Sequence, residues 1–263
     1  MAEPALSAPA ALARRADPDL FLAALFAPEP QRERLMVLTA FDIELSRATS
    51  KAAGTAEGPL IAEMRLQFWR DRLSDAAGEG APGTAICHEI ATPLQALFAG
   101  PLRVSIGEAD RLVAGHAMAL ERPFEPAAFR AWCRARFGGW YALAIAACGG
   151  GAPETLIGAA GQAAGAAFAL RSAPGLAAEG QQSFLPEGDA RVLAREGLEA
   201  LGEARRQRRM LPRAALPALL PLWRAERDLR AVAGRRAEAT ALPPPSAAAR
   251  ALGYLTRATT GRW

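Results

Sequence analysis

Apolar residues recur at every third or fourth position along most of the chain, and short segments rich in Gly and Pro interrupt them. This period is typical of amphipathic helices, whereas a half-buried strand would alternate apolar and polar residues. The pattern predicts helices at 17–26, 31–50, 60–73, 84–98, 107–119, 126–148, 154–172, 188–210, 213–233 and 246–260. We therefore expect an all-α fold, with one helical domain over 17–263 and a disordered Ala/Pro-rich tail over 1–16.

The predicted helix at 31–50 carries a stripe of polar side chains on one side. Residues three and four positions apart share a helix face, and Glu44 points nearly the opposite way. The stripe consists of Thr39, Asp42, Ser46 and Ser50. Such a stripe is either the wall of a cavity or the solvent-facing side of a surface helix.

The predicted helix at 60–73 is apolar on two sides. One apolar face is Leu60, Ile61, Met64 and Phe68, and the other is Leu66, Trp69 and Leu73. Such a helix is expected to pack between layers. The polar stripe Glu63, Gln67 and Arg70 would then face a cavity or a partner, because an unpaired buried charge is too costly. The alternative is that Glu63 simply pairs with Arg70.

Composition agrees with this fold class. Hydrophobic residues make up 51% of the 263 residues, which is enough to bury a large core. Ala and Leu, which favour helix, are abundant, while the β-branched and aromatic residues that favour strands are scarce.

The charge pattern argues against nucleic-acid binding. The net charge is +4 and nearly all the basic residues are Arg, since Lys51 is the one lysine. The arginines are scattered, and the densest cluster, at 203–210, lies beside acidic residues on a predicted surface helix. Recognition of nucleic acid requires a clustered basic face with a reading element.

The cysteines and the N-terminus indicate a cytoplasmic protein without a resident metal. Cys87, Cys133 and Cys148 are too few and too scattered for a disulfide framework or a zinc site. No secretory signal is evident. The apolar run at 155–170 is shorter than the roughly 20 residues a membrane span needs, so we expect a buried central helix there.

Two segments together resemble the opening of the squalene/phytoene synthase family. "TAFDIELSRATS" at 39–50 and "LIAEMRLQFWRDRL" at 60–73 match, in order and spacing, that family's "YAF-R--DD--D" helix and its "L-EIRLQWWR" segment. The resemblance continues through "ERPFEPAAFRAWCRARFGGWYALAIAACGG" and "GQAAGAAFALRSAPGLAAEGQQSFLP", and covers about 17–233. It implies an isoprenoid-synthase-like helical bundle around a central cavity.

The chain departs from the family at the residues that matter for its chemistry. In the synthases two aspartate-rich motifs face each other and hold Mg²⁺ against a prenyl diphosphate, which stabilises the departing negative charge. The matched positions here are Ser46, Arg47 and Ser50 in the first motif, and Leu170, Arg171, Ser172 and Leu176 in the second. Every metal-binding carboxylate is missing, so the resemblance implies no catalytic residue and no metal cofactor.

The loss of both motifs resembles one branch of the family. That branch includes a mitochondrial assembly factor for respiratory complex I and related alpha-proteobacterial proteins, and "RLQFWRDRL", "LRSAP" and "ARALGYLTRATTGRW" look like it. The implied function is a bacterial, non-catalytic assembly or lipid/prenyl-binding factor, with respiratory complex subunits or an isoprenoid or lipid ligand as partners. The alternative is a head-to-head prenyltransferase that uses Mg²⁺ held by acids from elsewhere in the chain.

If the cavity is retained, we expect polar residues from three segments to form its wall. These candidates are Asp42, Ser46, Glu63, Gln67, Arg70 and Arg171. With the acids gone, the arginines would favour a neutral or anionic ligand over a metal complex.

The C-terminal segment 246–263 leaves two interpretations open. As a helix it would place Leu252 and Leu255 on one side and Arg250 and Arg257 on another. Basic and leucine residues in this arrangement are typical of a segment that lies on a membrane surface, which would give peripheral contact with the inner membrane. The other interpretation is that the helix packs back onto the bundle.

Overall fold

The fold is all-α, as the sequence predicts. The structure is a computed structural model that describes residues 6–50, 57–79, 87–234 and 242–263, and within these ranges every regular element is helical. The helices are α1 (Ala8–Ala16), α2 (Pro18–Ala24), α3 (Gln31–Ser50), α4 (Gly58–Ala77), α5 (Ala91–Ala99), α6 (Ile106–Met118), α7 (Pro126–Trp132), α8 (Gly139–Ala147), α9 (Glu154–Ala178), α10 (Ala190–Arg206), α11 (Leu216–Leu219), α12 (Leu222–Ala233) and α13 (Ala247–Thr260). A six-residue π-helical stretch, Cys133–Gly138, joins α7 to α8 and is called the π segment below.

The small-residue helix α9 lies at the centre of the bundle, against the π segment, α10 and α12. Gly161 packs directly on the π segment: a Cβ atom there would lie 2.6 Å from the backbone nitrogen of Gly138. From the other side Gly115 of α6 meets the backbone of Arg136, where a Cβ atom would overlap the main chain. The expected buried helix at 155–170 is therefore found, and glycines on two helices hold the π segment between them.

The expectation of a disordered tail over 1–16 is wrong for residues 8–16. They form α1, which packs against α3. Ser7 caps the helix by accepting a hydrogen bond from the backbone nitrogen of Ala10, and Pro9 occupies its first turn, where a missing N–H costs nothing. Leu12 is buried on the bundle, so a short apolar face outweighs the tail-like composition.

Helix α4 lies on the outside of the bundle, which corrects the prediction that it packs between layers. Its buried residues are Gly58, Ala62, Leu66, Trp69 and Leu73. On the apolar face that contains Leu60 and Met64, Leu60 is 63% exposed and Met64 is 67% exposed. The two-sided pattern did not distinguish a helix between two layers from a surface helix that leaves apolar side chains in solvent.

Helix α13 packs back onto the bundle, in agreement with the second interpretation of the C-terminus. Tyr254 is fully buried against Trp223, with ring centroids 5.4 Å apart. The two arginines expected to share a face both reach acids of the bundle: Arg250 Nε lies 3.0 Å from Asp19, and Arg257 Nη2 lies 3.4 Å from Glu226. Within the described ranges, no helix has the length and apolarity that a membrane span requires.

A polar cavity as the candidate functional site

A cavity of about 670 Å³ opens between α2, α3, the π segment, α8 and α9. This volume is within the range of pockets that hold small organic ligands. One group of its lining residues is charged: Asp17, Asp19, Asp42, Arg47, Arg122, Arg136, Arg171 and Arg224. A second group is aromatic: Phe137, Trp140, Tyr141, Phe168 and Phe184. The cavity therefore offers both ionic and apolar surface to one occupant.

Three of the four stripe residues on α3 line this cavity: Asp42, Ser46 and Ser50. The stripe is therefore part of a cavity wall and not the solvent-facing side of a surface helix. Of the six candidate wall residues, Asp42, Ser46 and Arg171 line the cavity. The other three do not, because they belong to the outer side of α4. Gln67 is exposed and donates to Asp71 at 2.7 Å, Arg70 lies 4.0 Å from Asp110, and Glu63 is exposed.

The positions that match the two aspartate-rich motifs do converge. Ser46, Arg47 and Ser50 from α3 and Ser172 and Leu176 from α9 all line the same cavity. Their donors do not suit Mg²⁺, which is held in proteins mainly by carboxylate oxygens. The hydroxyl of Ser172 donates a hydrogen bond to the carbonyl of Phe168 in its own helix, and Arg47 is paired with Glu44 at 2.7 Å. Across the described residues, no group of three or more His, Cys, Asp or Glu side chains is placed to hold a metal ion.

Asp42, the acid that remains on the stripe, is bound to a buried histidine. Its Oδ1 lies 2.7 Å from Nε2 of His116, which is completely buried on α6. Burial and the nearby charge of Arg136 lower the pKa of His116 below its ordinary value, although Asp42 opposes this. Burial raises the pKa of Asp42, but the contact with His116 and the charge of Arg136 outweigh it and leave that pKa below the usual value. We describe the pair as a carboxylate that accepts a hydrogen bond from a neutral imidazole.

Arg136 is the most unusual residue of the cavity wall. It comes from the π segment, is only 7% exposed, and donates from Nη2 to the hydroxyl of Ser46 at 3.1 Å. Its guanidinium lies 4.5 Å from the ring centroid of Phe168 and 5.0 Å from that of Phe137. Its Nε is buried and has no hydrogen-bond partner among the described residues. A charged donor is thus held inside the protein with part of its hydrogen-bonding capacity unused.

Arg122 brings a second cation to the same wall. It is half-buried, and its guanidinium lies 4.4 Å from the ring centroid of Phe184. No carboxylate among the described residues forms an ion pair with it. Burial lowers the pKa of Arg122, and its charge is one of the influences that lower the pKa of the buried Arg136.

The other arginines of the cavity are neutralised by the bundle behind them. Arg171 donates to Asp228 at 2.9 Å, and Arg224 donates to Asp228 at 2.9 Å and to Asp19 at 3.0 Å. The remaining acid, Asp17, caps α2 by accepting from the backbone nitrogen of Leu20, and burial raises its pKa to about 6. The unpaired positive charge of the cavity is therefore concentrated at Arg122 and Arg136.

Sequence reasoning missed six residues among the acids, arginines and histidine of this site: Asp17, Asp19, His116, Arg122, Arg136 and Arg224. Arg136 left a usable signal, because it directly precedes the strongly apolar stretch "FGGWYALAIAA" at 137–147. A basic residue next to such a buried stretch must either reach solvent or enter a polar site. His116 left none, since one histidine in an amphipathic helix is usually an ordinary packed residue.

Comparisons with known proteins agree with the fold and with the family resemblance. The sequence profile of the squalene/phytoene synthase family matches residues 13–191. The crystal structure of squalene synthase HpnC from Alicyclobacillus acidocaldarius is similar, with a TM-score of 0.69 and 18% identity over 85% of this chain and 91% of that one. A dehydrosqualene synthase in complex with ligand has a TM-score of 0.76 and 12% identity over 96% of this chain and 94% of that one. No curated protein sequence matches the chain.

Proposed function

Because the chain belongs to the squalene/phytoene synthase family, we propose that it is a non-catalytic member that holds an amphipathic lipid- or prenyl-type molecule in its cavity. The observation that carries this proposal is the convergence of Ser46, Ser50, Ser172 and Leu176 on one cavity. A cavity is present where these positions meet, while its wall contributes no carboxylate at them.

The missing carboxylates bear directly on the reaction. Ionising an allylic diphosphate requires strong stabilisation of the departing charge, and a cluster of hard cations on several carboxylates supplies it. Asp42 is held by His116, Asp19 by Arg224 and Arg250, and Asp17 has a raised pKa and caps a helix. These acids are committed to other contacts, which argues against the alternative of a prenyltransferase with relocated metal ligands.

The aromatic and ionic surfaces of the cavity support binding of an amphipathic molecule. Phe168 and Phe184 provide apolar contact area, and arginines at the same wall suit a polar or anionic head. A role in assembling a respiratory complex is part of the proposal and is supported by the resemblance of the sequence to the non-catalytic branch. Pull-down from native membranes, followed by mass spectrometry of the captured subunits, tests that part.

Two measurements test the binding proposal itself. We expect purified protein incubated with farnesyl diphosphate and Mg²⁺ to release no pyrophosphate above the blank. We also expect lipid extraction and mass spectrometry of the purified protein to recover a retained amphipathic molecule. Pyrophosphate release that rises with Mg²⁺ concentration would favour the prenyltransferase alternative, and a protein free of any retained or added ligand would contradict the proposal.

A further inference from the structure

Two cations of the cavity wall form no ion pair with a carboxylate among the described residues. Arg136 and Arg122 line one cavity, and the charge of Arg122 acts on that of Arg136. In the low dielectric of a buried site, two like charges repel one another more strongly than in water. The fold therefore holds an arrangement that an anion between the two guanidinium groups would stabilise.

The environment of Arg136 shows that this charge is not satisfied by the protein alone. Its hydroxyl partner Ser46 is neutral, its aromatic neighbours contribute only cation–π contacts, and its Nε has no partner among the described residues. Burial lowers the pKa of Arg136, and the nearby acid, Asp42, opposes this and partly compensates the charge. However, the Oδ1 of Asp42 is hydrogen-bonded to His116, and Asp42 forms no ion pair with the guanidinium. A buried charge without an ion-paired partner is costly, and an incoming anionic acceptor lowers that cost.

We propose that Arg136 and Arg122 form a metal-independent anion site, which binds the phosphate-type headgroup of an amphipathic ligand directly. The inference rests on the proposed function and deepens it by naming the head chemistry. Guanidinium groups present planar sets of N–H donors that match phosphate oxygens. Arg136 bonds to Ser46, at one of the positions where the family resemblance places a metal-binding carboxylate, so here the protein itself supplies positive charge where the synthases are expected to use Mg²⁺.

The aromatic contacts of the two arginines favour a ligand that carries an apolar chain on its phosphate. Phe168 underlies Arg136 and Phe184 underlies Arg122, and both rings also line the cavity. A headgroup held by the guanidinium groups would thus place its chain along aromatic surface. Free phosphate or pyrophosphate shares the head chemistry but lacks that second contact, so the two sources can be separated by experiment.

The test is calorimetric titration of the full chain in EDTA with three probes: farnesyl diphosphate, farnesol and inorganic pyrophosphate. The variants are R122Q and R136Q, and the matched control is R134Q, which replaces an exposed arginine of the same π segment outside the cavity. Loss of one charge-assisted contact corresponds to about ten-fold in Kd or more. We expect farnesyl diphosphate to bind in EDTA, with Kd raised about ten-fold by R122Q and unchanged by R134Q.

The probes separate failure of this inference from failure of the proposed function. We expect farnesol to bind wild type and R122Q equally, and pyrophosphate to bind more weakly than farnesyl diphosphate. If farnesyl diphosphate and farnesol bind alike, or if R122Q and R134Q have the same effect, the anion site is refuted while a lipid-binding cavity stands. If neither probe with an apolar chain binds, both proposals fail. Because R136Q alters a buried residue, its folding is checked by circular dichroism, and R122Q alone is sufficient for the decision.

Discussion

Replacing Asp228 by Asn tests the ionic cluster that supports the cavity from behind. Asp228 is 0% exposed, and its carboxylate is contacted by Arg224 at 2.9 Å, by Arg171 at 2.9 Å and by Arg227 at 3.3 Å. The substitution preserves the shape of the side chain and removes its charge. Three guanidinium groups then face an amide in place of a carboxylate.

The expected loss follows from how deeply each partner is buried. Removing one member of a buried ion pair costs about 3–5 kcal/mol, because the other charge is left uncompensated. Arg171 and Arg227 are more than a third exposed, so solvent screens them and their share is small. Arg224 is buried but keeps Asp19 at 3.0 Å. We therefore expect the low end of the range, about 3 kcal/mol.

Thermal unfolding followed by circular dichroism measures this loss. For a domain of this size, about 3 kcal/mol corresponds to a decrease in Tm of roughly 6–12 °C. The matched control is D110N, since the side chain of Asp110 is 64% exposed and lies 4.0 Å from Arg70. We expect that control to change the free energy of unfolding by less than about 0.5 kcal/mol.

A small effect at Asp228 would refute the reasoning. If D228N lowers Tm no more than D110N does, the buried cluster contributes no more than a surface ion pair. The cavity wall would then be held by packing at Arg171 and by packing and the ion pair with Asp19 at Arg224.

Three further tests concern other parts of the structure. G253A places a Cβ atom in steric overlap with ring atoms of Trp223, so we expect a loss of about 1–3 kcal/mol in thermal melts and faster proteolysis of α13; an unchanged cleavage pattern would argue against the packing. L66A should cost about 2–5 kcal/mol because Leu66 is buried, whereas M64S should stay within about 0.5 kcal/mol; equal losses would mean that α4 is misplaced. Asp17 has a pKa of about 6 against an ordinary 3.8, so the folded state binds a proton that the unfolded chain has released, and stability falls as the pH rises through that window. D17N keeps the helix cap and should remove this part of the pH dependence, giving a higher Tm than wild type at pH 7 and an equal one near pH 4; a lower Tm at pH 7 would contradict the assignment.

The helical fold could be predicted because apolar period and helix breaks are local properties of the sequence. The cavity wall could be predicted only where a polar stripe lies on an otherwise buried helix, as at Asp42 and Ser46 on α3. On α4 the same reasoning failed, because Glu63 and Gln67 follow the same spacing and face solvent. Periodicity gives the faces of a helix, but the rotation of that helix toward the core depends on its neighbours.

The ionic arrangement of the site could not be predicted, because it depends on contacts between residues far apart in the chain. His116 reaches Asp42 across 74 positions and Arg136 reaches Ser46 across 90. In the same way Arg250 meets Asp19 from the opposite end of the chain, so the tertiary fold alone decides that this arginine faces the bundle.

The contacts of Gly115 and Gly161 with the π segment have a consequence for the thermodynamics of ligand binding. The backbone of Gly115 packs against that of Arg136, and the backbone of Gly161 packs against those of Gly138 and Cys133. The main chain that carries Arg136 therefore has little room to shift. A binding site that is rigid before its ligand arrives loses little conformational entropy on association. Calorimetry should therefore show a small entropic penalty and little change in backbone hydrogen exchange along the π segment on binding.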